Sequence, residues 1–251
     1  MRILVLNWWD ITSPRAGGAE LHLHRIFGHI AEQGDTVTLL CCRHRGSLAE
    51  ETLDGIRVVR RGTPYTINML APFWVRTHAR SFDVVVDYTN KIPFLTPLYA
   101  AMPRLCVAHH VNGVTFQRQF PSVLASLLMA VERAIHRVIY RRERFTAVSR
   151  STADELIDLG IRPERIHVIH NGADHVVPER KASRDPAPLL LYVGRLKRYK
   201  NVDRLLEALP ALTEAVPDVR LVVIGDGDER RPLGSLARRL NVSDRVHFCN
   251  Q

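Results

Sequence analysis

At 251 residues the chain is long enough for two domains, each with its own core. A hydrophobic share of 46% against 24% charged residues describes a globular protein, and no uninterrupted apolar run approaches the roughly 18 residues that span a bilayer. The formal charge of +9 calls for an anionic partner: a phosphorylated small molecule, an anionic membrane face or nucleic acid.

Strand-like and helix-like runs alternate along the chain. A strand is expected over 3–7, a helix over 19–32 ended near Gly34, a strand over 36–40, and a short strand over 56–59 after the turn at Asp54-Gly55. Next come a helix over 68–79 bent or interrupted at Pro72, a strand over 83–87, a short helix over 93–101 and a strand over 104–108. A long helix over 122–143 leads to a strand over 145–148, a helix over 151–159 capped by Ser151 and stopped at Gly160, and a strand over 166–169 that ends at Asn171-Gly172. The polar, proline-rich stretch 178–188 reads as a linker between a first domain, 1–177, and a second unit, 189–251. In that unit strands are expected over 189–193, 219–224 and 245–249, with helices over 202–215 and 229–240 and Pro232 in the first turn of the latter.

This repetition predicts an α/β fold, a parallel sheet with helices on both faces. The first domain is expected to be a complete Rossmann-like domain. The second is expected to be incomplete, since three strands fall short of the five or six of a doubly wound domain. Cys41, Cys42, Cys106 and Cys249 lie in or beside apolar runs without a CxxC pair, so they read as core residues in a reducing compartment. The opening residues run straight into a strand, so no signal peptide is expected and the location reads as cytoplasmic.

In open parallel sheets ligands bind at the C-terminal ends of the strands. Gly17-Gly18, His109-His110, Ser149, Asn171-Gly172, Gly194-Arg195-Leu196 with Lys200, and Gly225-Asp226-Gly227 all follow strands. Gly17 and Gly18 lack a Cβ, so the backbone is free to take φ > 0 and lie close to a ligand, with first-turn amides and the helix dipole favouring an anion. A tight βα turn without a ligand fits the same residues. Arg195 offers a bidentate fork and Lys200 a compact charge, a pair suited to a diphosphate in a cleft enzyme that uses a nucleotide-linked substrate. The run Gly225 to Arg230 lacks the third glycine of a dinucleotide fingerprint, which argues against hydride transfer, and without an Asp-x-Asp motif no metal is expected. Arg133, Arg137 and Arg141 recur at helical spacing beside apolar positions. They read either as a peripheral contact with an anionic membrane or as a solvated face of a packed helix, and nothing supports nucleic acid binding.

Taken in order, Pro14 to Glu20, the histidine after the fourth or fifth strand, Ala147-Val148-Ser149, Val168 to Asp174, Val193 to Lys200 and Ile224 to Gly227 make the chain resemble the family-4 glycosyltransferases, retaining enzymes of the GT-B fold. Asn7-Trp8-Trp9-Asp10, Asn90 to Phe94 and His109 to Asn112 resemble a bacterial branch acting in cell-surface polysaccharide or glycolipid assembly. The resemblance implies donor-binding roles for Gly17, Gly18, Gly194, Gly225 and Asn171. Arg195 and Lys200 are then the catalytic pair that neutralises the donor diphosphate, and His109 the histidine beside the transferred sugar, with a buried, satisfied histidine as its alternative. It also implies a nucleotide-sugar as substrate with no cofactor, and a glycan or lipid-linked acceptor. His170 stands where the family often has proline, and the family's Glu-x7-Glu motif lies beyond Gln251, so 1–251 alone is expected to be weakly active or inactive. The alternative is a non-catalytic sugar-nucleotide-binding or partner subunit completed by another chain.

Overall fold

Arg2-Ile3-Leu4-Val5-Leu6 is apolar on both sides of the pleat, and such a strand must be covered on both faces. It forms β1 (Arg2–Leu6). The computed structural model describes residues 1–172 and 187–249, and the chain divides into two units, Met1–Ala173 and Asp174–Gln251. The expected boundary at 177 and the linker 178–188 therefore fall, but for residues 187 and 188, outside the described residues.

Unit 1 follows the βα alternation. After β1 come α1 (Gly18–Glu32), β2 (Thr36–Cys41), β3 (Glu50–Leu53), β4 (Ile56–Arg60), α2 (Ile67–His78), β5 (Val84–Tyr88), β6 (Arg104–Ala108), α3 (Gly113–Gln119), α4 (Ser122–Ile135), β7 (Phe145–Ala147), α5 (Arg150–Asp158) and β8 (Ile166–Val168). The eight strands form one sheet in the order β3-β4-β2-β1-β5-β6-β7-β8, and β1 lies parallel to β2 and β5 with Val5 opposite Leu39 and Val86. Leu4 and Leu6 face the helix α2 residues Ile67, Ala71 and Val75 on one side; Ile3 and Val5 face Leu23 and Phe27 of α1 on the other. Cys41, Cys42 and Cys106 are buried in this core.

Several expectations need correction. β3 is an antiparallel edge strand against β4 that the sequence did not announce, since Glu50-Glu51-Thr52-Leu53 carries little apolar content. Pro72 lies inside α2 without ending it. The helix expected over 93–101 is one 3-10 turn, Thr96–Leu98, because Leu95 before it takes a left-handed φ of 59°. The long helix expected over 122–143 is regular only to Ile135 and continues as a π-turn, His136–Tyr140, which aims Tyr140 into the core. Ser149, not Ser151, caps α5: its Oγ accepts the Thr152 amide at 3.1 Å. Gly160 stops that helix at φ 99°, as its position predicts.

Unit 2 contains β9 (Leu189–Val193), α6 (Val202–Ala215), β10 (Arg220–Ile224), α7 (Arg230–Arg239) and β11 (Val246–Cys249), with the parallel order β11-β10-β9. Leu206 and Leu209 of α6 and Leu233 and Ala237 of α7 pack with Leu221 and Val223 of β10. Both helices therefore cover one face. Leu189, Leu191 and Val193 point to the other and are 50%, 59% and 60% exposed, so among the described residues helices do not cover both faces here.

Candidate functional site

The loop from β1 to α1 is fixed before any ligand arrives. Asn7 Nδ2 donates to the Trp9 carbonyl at 2.8 Å. Asp10 accepts from the Thr12 amide at 2.8 Å and from Arg60 Nε at 2.7 Å. Gly17 is the N-cap of α1 in an extended conformation, φ −151°, and Gly18 does not have positive φ either, so the left-handed backbone expected at this pair is not used. The Gly17 amide donates to Glu20 Oε2 at 2.8 Å. Glu20 thus takes a donor that the sequence left open for an anion and places a carboxylate at the helix start. What remains for a ligand is room: a Cβ on Gly18 would meet nothing within 4 Å.

Four side chains hold the loop that follows β6 by its backbone. Asn90 Oδ1 accepts the His109 amide at 3.0 Å and Glu155 Oε2 the Val111 amide at 3.4 Å. Thr152 Oγ1 donates to the His109 carbonyl at 3.4 Å. Buried Glu132 accepts both the amide and Nδ2 of Asn112, at 3.1 and 2.8 Å. The His109 ring stacks on Tyr88 at 5.8 Å and meets the His22 ring edge-on at 4.6 Å. Burial, then the neighbouring His22 and His110, push its pKa down to about 4. Its Nε2 is buried with no hydrogen-bond partner among the described residues, so His109 is not the satisfied core histidine of the alternative reading. A neutral imidazole with an unused nitrogen can exchange a hydrogen bond with a hydroxyl; it cannot neutralise a phosphate.

His22 joins the two expected sites of unit 1, since it lies one helical turn after Gly18 on α1 and touches His109. Tyr88 Oη lies 3.4 Å from His22 Nδ1. Neither residue was singled out in the sequence. The spacing Gly18 to His22 was the available signal, but a partner on β6 is not visible from it. Asn171, after β8, is exposed, and neighbouring His170 Nδ1 lies 3.1 Å from the Val148 carbonyl. Ala173 and Asp174 of the same motif lie outside the described residues.

In unit 2 two strand ends interlock through glycine. Gly225 has φ 141°, and a Cβ on it would stand 2.1 Å from the Gly194 carbonyl oxygen; one on Gly227 would stand 2.2 Å from that of Leu196. The Gly194 amide donates to Ile224 O at 3.0 Å and that of Leu196 to Asp226 O at 2.8 Å. The close approach that Gly225 permits is therefore to the β9 loop itself. That contact presents Arg195 and Lys200, both exposed and in no ion pair among the described residues. The intervening Lys197 is paired with Asp228. An Arg and a Lys held on one loop without a carboxylate partner suit an anionic ligand.

Arg133 on α4, Arg137 on the π-turn and Arg141 just after it are exposed, and α4 also exposes Val123, Leu127 and Val131, at 82%, 59% and 48%. Arg137 differs from the other two, because its stem lies over Gly160, where a Cβ would meet its Cγ at 2.6 Å. No helix among the described residues is long and apolar enough to cross a membrane.

Residues 16–176 match Glycosyltransferase Family 4, and residues 176–251 match Glycosyl transferases group 1. The chain belongs to glycosyltransferase family 4. Among curated family relatives, lipopolysaccharide glucosyltransferase WaaG of Escherichia coli is 27% identical over 92% of this chain and 65% of its own length. Lipopolysaccharide core biosynthesis glycosyltransferase LpsE of Rhizobium meliloti is 40% identical over 39% of this chain and 28% of its own. The family-4 chain thus spans 65% or less of these two relatives. The solved structure of Anabaena Alr3699/HepE in complex with UDP-glucose superposes on all of the chain and 69% of its own, with TM-score 0.67 at 19% identity. That likeness establishes a Rossmann-like GT-B fold.

Proposed function

We propose that the chain is part of a retaining glycosyltransferase that moves a sugar from a nucleotide-diphosphate donor to a glycan or lipid-linked acceptor, working in the cytoplasm. Unit 1 serves the acceptor side and unit 2 the donor. The observation that carries this reading is the pair Arg195 and Lys200, presented on one strand-end loop without an acidic partner among the described residues. A departing nucleoside diphosphate gains charge in the transition state, and cations fixed there stabilise it. His109, neutral and with Nε2 unused, supplies a hydrogen bond to a sugar hydroxyl. No step of this reading needs a metal or cofactor.

The uncovered face of β9 supports completion of the donor unit by polypeptide outside residues 1–251, either a continuation of the chain or a partner subunit. On this reading 1–251 alone binds donor weakly and turns over slowly or not at all. Exposed Val123, Leu127 and Val131, together with exposed Arg133 and Arg141, support a peripheral contact with anionic lipid, read by salt-sensitive sedimentation with anionic vesicles.

Thermal melting of 1–251 against UDP, GDP, ADP, TDP and CMP tests the donor site, because a ligand bound only by the folded state raises the melting temperature. UDP is the first probe, being the nucleotide of the HepE complex. A rise with one nucleotide, abolished by Arg195→Ala, is expected. A rise that survives Arg195→Ala removes the pair from the donor site.

A further inference from the structure

Beyond Ile135 the helix α4 runs on as the π-turn His136–Tyr140, and π-turns within helices are frequent at functional sites. Tyr140 anchors the turn: its hydroxyl donates to Asp87 Oδ2 at 2.6 Å and accepts the Leu95 amide at 2.8 Å. The second bond ties the turn to the segment that carries Pro97. Both segments line a cavity of about 390 Å³, whose lining includes Pro97 and Val138 and, as charged residues, Arg104, Arg141, Arg142 and Glu143. Arg104 opens β6, and the other end of that strand leads to His109, so the cavity lies at the opposite edge of the sheet from the site described above.

The carboxylate in this lining is already committed. Glu143 Oε2 accepts Arg104 Nε at 3.0 Å and its Oε1 accepts Arg104 Nη2 at 3.0 Å, so the two charges form a bidentate pair. Arg104 Nη1 also donates to the Ala100 carbonyl at 2.7 Å, which fixes that guanidinium. Arg141 and Arg142 are left over. Both are exposed, and neither has a carboxylate partner among the described residues. The Arg142 backbone is held as well, because its carbonyl accepts Arg165 Nη1, and that bond sets a further guanidinium against the same turn. Two like charges on consecutive residues of one cavity repel until an anion joins them.

We propose that this cavity binds a phosphate group through Arg141 and Arg142. The planar fork of a guanidinium matches two phosphate oxygens, and the anion relieves the repulsion between the two cations. The volume admits the phosphate with part of the molecule that carries it, and Val138, 74% exposed, offers that remainder an apolar surface. A soluble phosphate ester and an anionic lipid headgroup present the same chemistry to the arginines. The lipid form rests on the peripheral contact proposed above, since Arg141 belongs to both; the soluble form does not. Neither form involves the donor pair Arg195 and Lys200.

Isothermal titration calorimetry of the full chain at low salt with inorganic phosphate tests the site. Sedimentation with phosphatidylglycerol vesicles, against phosphatidylcholine, tests the lipid source. Saturable phosphate binding is expected, weakened about tenfold or more by Arg141→Gln and by Arg142→Gln. Arg142→Lys keeps the charge, is expected to lose less, and serves if a glutamine variant does not fold. Arg133→Gln and Arg195→Ala are expected to change phosphate binding less than twofold. Sedimentation with phosphatidylglycerol that is lost in Arg142→Gln assigns the phosphate to a lipid; no such loss, with phosphate binding intact in the calorimeter, assigns it to a soluble ester. No saturable phosphate binding, binding untouched by both glutamine variants, or an equal loss in Arg133→Gln would overturn the site. The donor reading is measured with nucleotides on Arg195→Ala and the α4 contact with vesicles on Arg133→Gln, so failure of either leaves a different trace.

Discussion

Arg60 Nε donates to Asp10 Oδ2 across 2.7 Å, and both side chains are wholly buried. This contact fastens the loop that carries Trp9, Arg15 and Gly17 to the end of β4. Burial alone would raise the Asp10 pKa, but the hydrogen bonds from Arg60 and Thr12 outweigh it and hold the carboxyl well below the ordinary range.

Replacing Asp10 by alanine leaves the buried guanidinium with Glu51 as its one acidic partner among the described residues, so the loss should fall below the roughly 3–5 kcal/mol of a wholly unpaired buried charge, at about 2–3 kcal/mol. A fall of that size is expected in urea denaturation. A carboxyl with a depressed folded pKa adds stability above its unfolded pKa of about 4 and loses it as pH falls toward the folded value. The wild-type chain should weaken more steeply than Asp10→Ala below that pH.

Gly225→Ala and Gly18→Ala should separate packing from ligand binding. At Gly225 the new methyl would collide with the Gly194 carbonyl at a φ that alanine resists. A loss of about 2–4 kcal/mol is expected, confined to the transition of unit 2. At Gly18 the space is open, so stability should change by less than about 0.5 kcal/mol. Any loss of ligand binding in Gly18→Ala is then steric. Differential scanning calorimetry reads both.

The regular elements were largely legible. The expected spans 104–108, 189–193 and 202–215 coincide with β6, β9 and α6, because each is an apolar or amphipathic run between clear stops. Elements without such a run escaped: β3 is polar, and α3 begins at a glycine. The strand-end glycines and cations could be named from their order alone. What each of them touches could not. The claim of Glu20 on the Gly17 amide is a local spacing that was open to view, whereas the grouping of His22, Tyr88 and His109 depends on which strands become neighbours in the sheet.

His109 should stay neutral well below the pH at which exposed histidines titrate. With its pKa pushed down to about 4, the folded chain refuses a proton that the unfolded chain accepts near 6.5. Stability from this group is therefore present above 6.5 and declines as pH falls between the two values. Proton NMR of the imidazole should place its midpoint near 4, and His22→Ala should raise it by removing a neighbouring imidazole.

Tyr140→Phe should cost about 2–3 kcal/mol, since one hydroxyl serves two buried partners. It donates to Asp87 Oδ2 at 2.6 Å and accepts the Leu95 amide at 2.8 Å. Burial raises the Asp87 pKa, and the hydrogen bonds from Tyr140 and Thr96 oppose that rise. A carboxyl with a raised folded pKa loses stability as pH climbs through it, and removing a donor raises it further. The penalty measured by thermal melting should thus be larger at pH 8 than at pH 5.

Strand β9 presents Leu189, Leu191 and Val193 to water on one face, and its outer edge pairs with no other strand among the described residues. A second molecule offers the same ribbon, so the quantity that governs how long a solution of 1–251 stays clear is its concentration more than its temperature. A segment or partner that covered this face would act on the chain as a solubility partner as well as a structural one, and expression yield would report such cover.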